Sequence, residues 1–234
     1  MACFHFCEVS SMTEAIVRET APITLIGGGD VTRSDLAEAL AHAPVLVAID
    51  GGADQALALG AQPQAVIGDF DSVSDHARTA LSQSILHLVA EQETTDFDKA
   101  LRSVEAPLVL AVGVLGARLD HQLAALHVLM QPHAKTCILI GAHEVVVHLT
   151  ASLELELQAG DVVSLFPLLP VSGRSDGLEW PIDGLELSPL SRIGTSNRAT
   201  GSIRIEVDGP GLLAILPRHC LGALIQVMQA GPSC

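Results

Sequence analysis

Up to about residue 150, short unbroken apolar runs alternate with longer stretches in which Leu and Ala recur at helical spacing. Ile23–Ile26, Val45–Ile49, Ala65–Ile67, Ile85–Val89, Leu108–Val114 and Ile138–Ile140 read as strands buried on both faces. Between them, Ser34–Ala43, Asp54–Leu59, Ser74–Ser82, Asp96–Val104 and Leu119–Met130 read as helices. This alternation predicts an α/β fold over residues 23–150, a doubly wound, mostly parallel sheet covered by helices.

Past residue 150 the pattern changes. Leu153–Leu157 alternates Leu with Glu, the signature of a half-buried strand, and Val162–Phe166 follows between Gly160-Asp161 and Pro167. Ile203–Val207 and Leu212–Leu216 flank Asp208-Gly209-Pro210-Gly211, which predicts a hairpin. Short strands with frequent Gly, Pro and Ser predict an all-β sandwich over residues 151–217. Residues 218–234 form a tail with one short helix or a loose end. Residues 1–22 read as an N-terminal extension; Met12 opens a more ordinary N-terminus, so residues 1–11 are expected to lie upstream of the native start.

Composition narrows the partners. Twelve Lys and Arg against 27 Asp and Glu give a net charge of -15, which argues against nucleic acid and against a polybasic membrane contact. Five Phe, one Trp and no Tyr leave the core to Ala, Val, Leu and Ile. The five cysteines form no Cys-x-x-Cys pair, and no apolar run approaches the roughly 20 residues of a membrane span. A reduced, cytoplasmic compartment is expected.

The chemistry concentrates in acidic loops. Residues 50–98 hold nine acids and one base, Arg78. Asp50-Gly51-Gly52-Ala53-Asp54 and Gly68-Asp69-Phe70-Asp71-Ser72 end the second and third strands, and Thr94-Thr95-Asp96-Phe97-Asp98-Lys99 opens a helix. Ligands of open α/β sheets bind outside the carboxyl ends of the strands, where these loops converge. Asp69 and Asp71, two apart in an extended segment, project to one side, where carboxylates repel unless a cation such as Mg²⁺ joins them. A plain Asp/Ser turn is the competing reading. Thr95 and Asp98 suit a capping box, leaving Asp96 and Lys99 one turn apart on one face, as a ligand pair or a surface ion pair.

Gly27-Gly28-Gly29 would admit a phosphate to backbone amides or make a tight strand-to-helix turn. Asp50 follows about 20 residues on, as in a dinucleotide fingerprint, but the third glycine of that fingerprint falls at Thr32. Arg118, in Gly116-Ala117-Arg118-Leu119-Asp120-His121, offers a planar donor for phosphate. His143 and His148 read as non-ligands. Trp180 and the Gly194-Thr195-Ser196-Asn197 loop are the distinctive points of the second half, with packing and a turn as their plain readings.

The order GGG, DGGAD, GDFDS, TDFDKAL, GARLDH, GLEW and TSN, from about residue 23 to 216, resembles the thiamin pyrophosphokinase (thiamine diphosphokinase) family. The resemblance implies transfer of the pyrophosphoryl group of ATP to the thiamin hydroxyl, giving thiamin diphosphate and AMP. It also implies Mg²⁺ as cofactor and a homodimer with active sites between subunits. Asp69, Asp71 and Asp96 would surround the Mg²⁺–ATP phosphates, with Lys99 and Gln92 nearby and Asp71, Asp96 and Lys99 catalytic. Gly28, Gly29, Asp50, Gly51, Arg118, Asp120 and His121 would lie on the nucleotide side, and Trp180, Ser196 and Asn197 on the thiamin side. Eukaryotic members carry a thiamin-stacking Trp in the last strand, where Gly211–Ile215 has none. Two other readings are an NAD(P)-dependent oxidoreductase using Gly27–Gly29 and Asp50, which leaves the GDFDS and TDFDK loops without a task, and a non-catalytic nucleotide- or thiamin-binding regulator.

Overall fold

The computed structural model describes residues 15–230. The expected upstream segment, residues 1–11, lies outside them. Six parallel strands build the first half: β2 (Ile23–Ile26), β3 (Val45–Ile49), β4 (Ala65–Gly68), β5 (Leu86–Leu88), β7 (Val109–Val112) and β8 (Cys137–Ile140). Their order in the sheet is β5-β4-β3-β2-β7-β8. The chain therefore winds outward from β2 to β5 and returns to the other side of β2. The reversal lies between β2 and β7, the switch point at which such sheets open a crevice.

Helices α1 (Arg33–His42), α2 (Gly52–Ala58) and α3 (Asp75–Ala80) place Leu36, Ala39, Ala53, Ala56 and Ala77 in one core layer. On the opposite face, α4 (Asp96–Ser103) and α5 (Leu119–Val128) bury Phe97, Ala100, Leu101, Ala125 and Val128. The α1 N-terminus is fixed by a capping box between Thr32 and Asp35. Two short pieces, β1 (Val17–Arg18) and β6 (Val104–Glu105), pair in parallel as a separate two-stranded sheet. Residues 15–22, read as part of an extension, are thus tied to the end of α4, where the Ile16 amide donates to the Ser103 carbonyl.

The second half grows from the same sheet. β9 (Glu144–Leu149) pairs antiparallel with β8, and β15 (Leu212–Pro217) and β11 (Val162–Pro167) continue the ladder. The other layer holds β10 (Leu153–Leu155), β12 (Val171–Leu178) and β13 (Glu186–Leu187). The layers are joined by β14 (Gly194–Val207), which pairs with β11 through its first part and with β10 and β12 through its last. The β12–β14 register shifts between Asp176 and Leu178, where Gly177, at φ 78, lets β12 approach Ser202: a Cβ there would lie 2.0 Å from its carbonyl oxygen. A 3-10 turn at Arg218–Cys220 leads into α6 (Leu221–Ala230), which packs on β10.

Two local expectations fail. Ile203–Val207 and Leu212–Leu216 do not form a hairpin, because β15 pairs with β9 and β11 while β14 crosses to the other layer. Asp208–Gly211 is a connection between layers, a role that turn chemistry alone does not separate from a hairpin. The Gly194–Asn197 segment is the start of β14 and not a loop, although Ser196 takes the left-handed φ of 62 within it.

Candidate active site

Five βα loops, after β2, β3, β4, β5 and β7, meet at the switch point. A Cβ on Gly27 or Gly29 would lie 2.5 or 2.6 Å from the Gly113 carbonyl oxygen, so both glycines are required by the abutment of the loops after β2 and β7. At Gly28 the nearest atom would be 3.6 Å away. That residue is the one with room beside it, and it lines a cleft of about 590 Å³ with Gly29, Asp50, Gly51, Asp71 and Asp96. Arg118 and His121 line the same cleft.

Backbone strain aims the acids. Asp50 (φ 45) and Phe70 (φ 66) both occupy the left-handed region that side chains with a Cβ avoid. The Asp69–Asp71 segment is therefore kinked at Phe70 and not extended as the sequence predicted. Arg78 holds the kink, donating to the Phe70 carbonyl with its guanidinium 5.9 Å from the ring centroid. The Asp71 amide also returns to Asp69 Oδ1 at 3.3 Å. The result is a grouping of Asp50, Asp69 and Asp71 whose ligand oxygens all lie within 4.8 Å of one another.

Asp50 is 5% exposed, and its Oδ2 accepts from the Ser72 amide at 3.2 Å. Its Oδ1 is buried without a hydrogen-bond partner among the described residues. Burial pushes the Asp50 carboxyl above its ordinary value, and the nearby Asp96 and Asp71 charges add to the rise. An orphaned, charge-crowded oxygen facing two carboxylates fits a hard divalent cation, which takes oxygen ligands.

Lys99 is the counterweight. It is 1% exposed, and its Nζ donates to Asp69 Oδ2 and Asp96 Oδ1, each at 3.0 Å. Burial by itself would lower the ammonium, but the hydrogen bonds to Asp96 and Asp69 outweigh it and raise the Lys99 pKa. The same Lys99 hydrogen bond keeps Asp69 below the ordinary carboxylate value against the opposing effect of burial. Gln92 adds a donor to Asp69 Oδ2 at 3.1 Å, and the Asp69 amide reaches Asp96 Oδ1 at 3.3 Å. The Asp96–Lys99 pair is thus no solvated surface bridge: Lys99 is buried and Asp96 partly so, and of the bonded group Asp69, Gln92, Asp96 and Lys99 only Asp96 lines the cleft.

Thr95 caps α4, accepting from the Asp98 amide at 3.3 Å. The expected reciprocal half of a capping box is absent. The Asp98 carboxylate is buried and turns to His133 Nε2 at 2.7 Å and Arg102 Nε at 3.5 Å. Arg118 is held by the Asp120 carboxylate, with Nε 3.1 Å from Oδ1. Arg118 and His121 line the cleft, whereas Asp120 acts on it through Arg118.

The residues singled out in the second half lie elsewhere. None of Trp180, Ser196 and Asn197 lines the cleft. Asn197 is buried, and its side chain is occupied by the chain itself: Oδ1 accepts from the Trp180 and Arg198 amides, and Nδ2 donates to the Trp180 carbonyl at 2.6 Å. The Trp180 ring is 55% exposed, and Ser196 is exposed with its amide donating to Ser164 Oγ.

A family model for the thiamin pyrophosphokinase catalytic domain matches residues 36–140, and one for the thiamin pyrophosphokinase vitamin B1 binding domain matches residues 148–212. The chain belongs to the thiamin pyrophosphokinase family. It is 26% identical over 195 residues to thiamine pyrophosphokinase 1 of Arabidopsis thaliana, covering 67% of this chain and 71% of that protein. Thiamine pyrophosphokinase 1 of Oryza sativa subsp. japonica is 27% identical over 160 residues, covering 58% and 59%. In fold, the chain is similar to thiamin pyrophosphokinase from Candida albicans (TM-score 0.70, 16% identity, 86% of this chain and 93% of that one). The yeast enzyme gives a TM-score of 0.69 at 15% identity, over 92% and 95%. Family and fold agree with the resemblance in the motifs, and this chain is a member of an enzyme family. Among the described residues no helix is long and apolar enough to cross a membrane.

Proposed function

We propose that this chain transfers the pyrophosphoryl group of ATP to the hydroxyl of thiamin, with Mg²⁺ as cofactor, releasing AMP. The observation that carries the reading is the meeting of Asp50, Asp69 and Asp71, with the buried Lys99 bonded to Asp69, beside a switch-point cleft that Asp50 and Asp71 line. These carboxylates, with Asp96 beside them, would hold the cation, which when bound reverses the local sign so that an acidic site accepts a polyphosphate. The oxidoreductase reading gives Asp50 a ribose to bind. Here Asp50 instead faces carboxylates and accepts from the Ser72 amide.

The residues divide the work. Gly28 and Gly29 let the nucleotide approach the backbone, and Arg118 and His121 face its phosphates in the cleft. The thiamin oxygen bonds to the β-phosphorus as the bond from that phosphorus to the α–β bridging oxygen breaks, and AMP leaves with that electron pair. The hydroxyl proton passes to Asp71 or Asp96; Asp96 already holds Lys99, whereas Asp71 carries only the Ser72 hydroxyl on its Oδ1. Lys99 fixes Asp69 and Asp96 in place, so the groups are set before substrate arrives.

The active protein is proposed to be a homodimer in which the Trp180 ring and Ser196 hydroxyl of one subunit complete the thiamin site of the other. Support comes from the exposure of Trp180, Ile193, Leu119 and Leu123, the last two beside the cleft wall, and from the absence of Trp180 and Ser196 from the cleft of their own subunit. Asn197 would act there only by shaping the strand. A cytoplasmic setting suits the free thiols Cys137 and Cys220.

The test is an assay with thiamin, ATP and Mg²⁺, following AMP and thiamin diphosphate by chromatography. Equal formation of both, abolished by EDTA and restored by Mg²⁺, is expected. ADP with thiamin monophosphate would replace the proposal by a simple kinase, and tight binding without product would favour the regulator. Mixing Asp71→Asn with Ser196→Ala subunits tests the dimer: partial recovery of activity is expected, and none would refute a shared site.

A further inference from the structure

A second group of ligand-type side chains lies far along the chain from the acidic loops. Strands β11 and β15 pair antiparallel, with Ser164 opposite Ile215 and Pro167 opposite Leu212. Continuing that register past the strand ends brings Asp161, just before β11, against the 3-10 turn of Arg218–Cys220. The Asp161 backbone is fixed by donation to Gln158 and by acceptance from the Ala199 amide at 2.8 Å. Its Oδ2 lies 3.1 Å from His219 Nε2, and one ligand atom each from Asp161, His219 and Cys220 lie within 4.8 Å of one another.

We propose that Asp161, His219 and Cys220 bind one borderline-soft divalent cation of the zinc class, clasping the start of α6 to the β11 end of the sandwich. The donor set decides the class. Carboxylate oxygen, imidazole nitrogen and thiolate sulfur together are ligands of Zn²⁺, whereas Mg²⁺ selects oxygen alone. The Asp50–Asp69–Asp71 group, all oxygen, is of the other type. Ligand atoms about 2.0–2.3 Å from a tetrahedral zinc stand between three and four ångströms apart. Only small side-chain movements separate the observed spread from that arrangement. Cys220 is 3% exposed, while the His219 side chain is 55% exposed. The cation would therefore enter on the His219 side and keep its fourth position toward solvent.

The thiol environment makes uptake measurable. Cys220 is a free, buried thiol whose proton must leave before the sulfur can bind a metal. Coordination displaces that proton, which gives a signal independent of enzymatic activity.

The full-length protein, freed of metal by dialysis against chelator, is titrated with Co²⁺ alone as a spectroscopic stand-in for Zn²⁺. One equivalent is expected to give an intense sulfur-to-cobalt charge-transfer band with tetrahedral visible bands, bleached by Zn²⁺ and untouched by excess Mg²⁺. Cys220→Ser should lose the charge-transfer band, and His219→Gln, at a largely exposed side chain, should weaken affinity by more than about tenfold. Asp71→Asn should leave the band intact. A wild-type protein without the band, a band that survives Cys220→Ser, or unchanged affinity in His219→Gln would each overturn the site. If Cys220→Ser does not fold, the wild-type band and His219→Gln still decide it.

Discussion

Two buried polar groups, one in each half of this sheet, are treated in opposite ways. In the parallel half Asp50 is buried with one oxygen unpartnered, crowded by Asp71 and Asp96, and set on a left-handed backbone. In the sandwich half Asn197 is equally buried, yet its oxygen takes two amides and its nitrogen finds a carbonyl. Ser175 is likewise satisfied, accepting from the Ile182 amide. A fully satisfied network serves the fold, while an unsatisfied charged one is a cost that only a ligand removes. The difference sets the unpartnered charge of the first half in the cleft, while the groups proposed to meet thiamin in the second half, Trp180 and Ser196, are exposed.

The sharpest way to break this comparison is at the acids. Asp71→Asn should lower turnover by about 100-fold or more, the scale of losing a group that acts on developing charge. Its melting temperature should move little, because Asp71 is exposed. A large loss of stability with turnover retained would make the acidic loop structural. Next come the glycines. Gly29→Ala places a Cβ 2.6 Å from the Gly113 carbonyl oxygen and should cost about 1–3 kcal/mol in urea unfolding. Gly28→Ala, with its nearest atom at 3.6 Å, should leave unfolding unchanged and weaken nucleotide binding measured by calorimetry. Equal destabilisation by both substitutions would remove the distinction between the packed glycine and the one beside the ligand.

A smaller effect tests the sandwich. Asn197→Ala strands the Trp180 and Arg198 amides and the Trp180 carbonyl, for a loss of about 1–3 kcal/mol. The KM for ATP should stay where it was. A change in thiamin KM with stability intact would show that Asn197 touches substrate and does not merely shape β14.

These contrasts also mark what the sequence made legible. The parallel half could be read because its strands are continuous apolar runs and its helices repeat at helical spacing, so Val45–Ile49 appears as a strand in both. The acidic loops could be placed because loops after parallel strands share one edge. What escaped was non-local or conformational. The kink at Phe70 depends on Arg78, eight residues away. Asp50 joins Asp69 and Asp71 only because β3 and β4 are neighbours, and the sequence assigned Asp50 to the nucleotide alone. The burial of Lys99 follows from packing, which periodicity does not report. In the sandwich, β12 reads VSGRSDGL and lacks a clear alternation, so its place beside β14 had no local signal. Gly177, at the register shift between β12 and β14, takes a left-handed φ that no hydrophobic pattern encodes.

The smallest effect is the most direct test of an unsatisfied charge. Asp50 has a raised pKa, chiefly from burial and then from Asp96, so the folded state binds its proton more tightly than the unfolded chain does. Stability from this group therefore rises as pH falls through the raised value, and above it the ionised carboxylate opposes folding. Asp69 runs the other way. Its pKa is lowered, chiefly by the Lys99 hydrogen bond, so its contribution is present above the ordinary carboxylate value and is lost as pH falls toward the folded one. Asp50→Asn keeps an acceptor for the Ser72 amide and removes the charge. In EDTA at neutral pH it should melt higher by about 2–4 °C, the shift of roughly 1 kcal/mol in a chain of this size. The advantage should fade on acidification toward the ordinary carboxylate range, and Mg²⁺ should stabilise the wild type but not the variant. Lower stability of Asp50→Asn at neutral pH would mean that the charge itself anchors the loop. Asp50 and Asn197 would then both serve the fold.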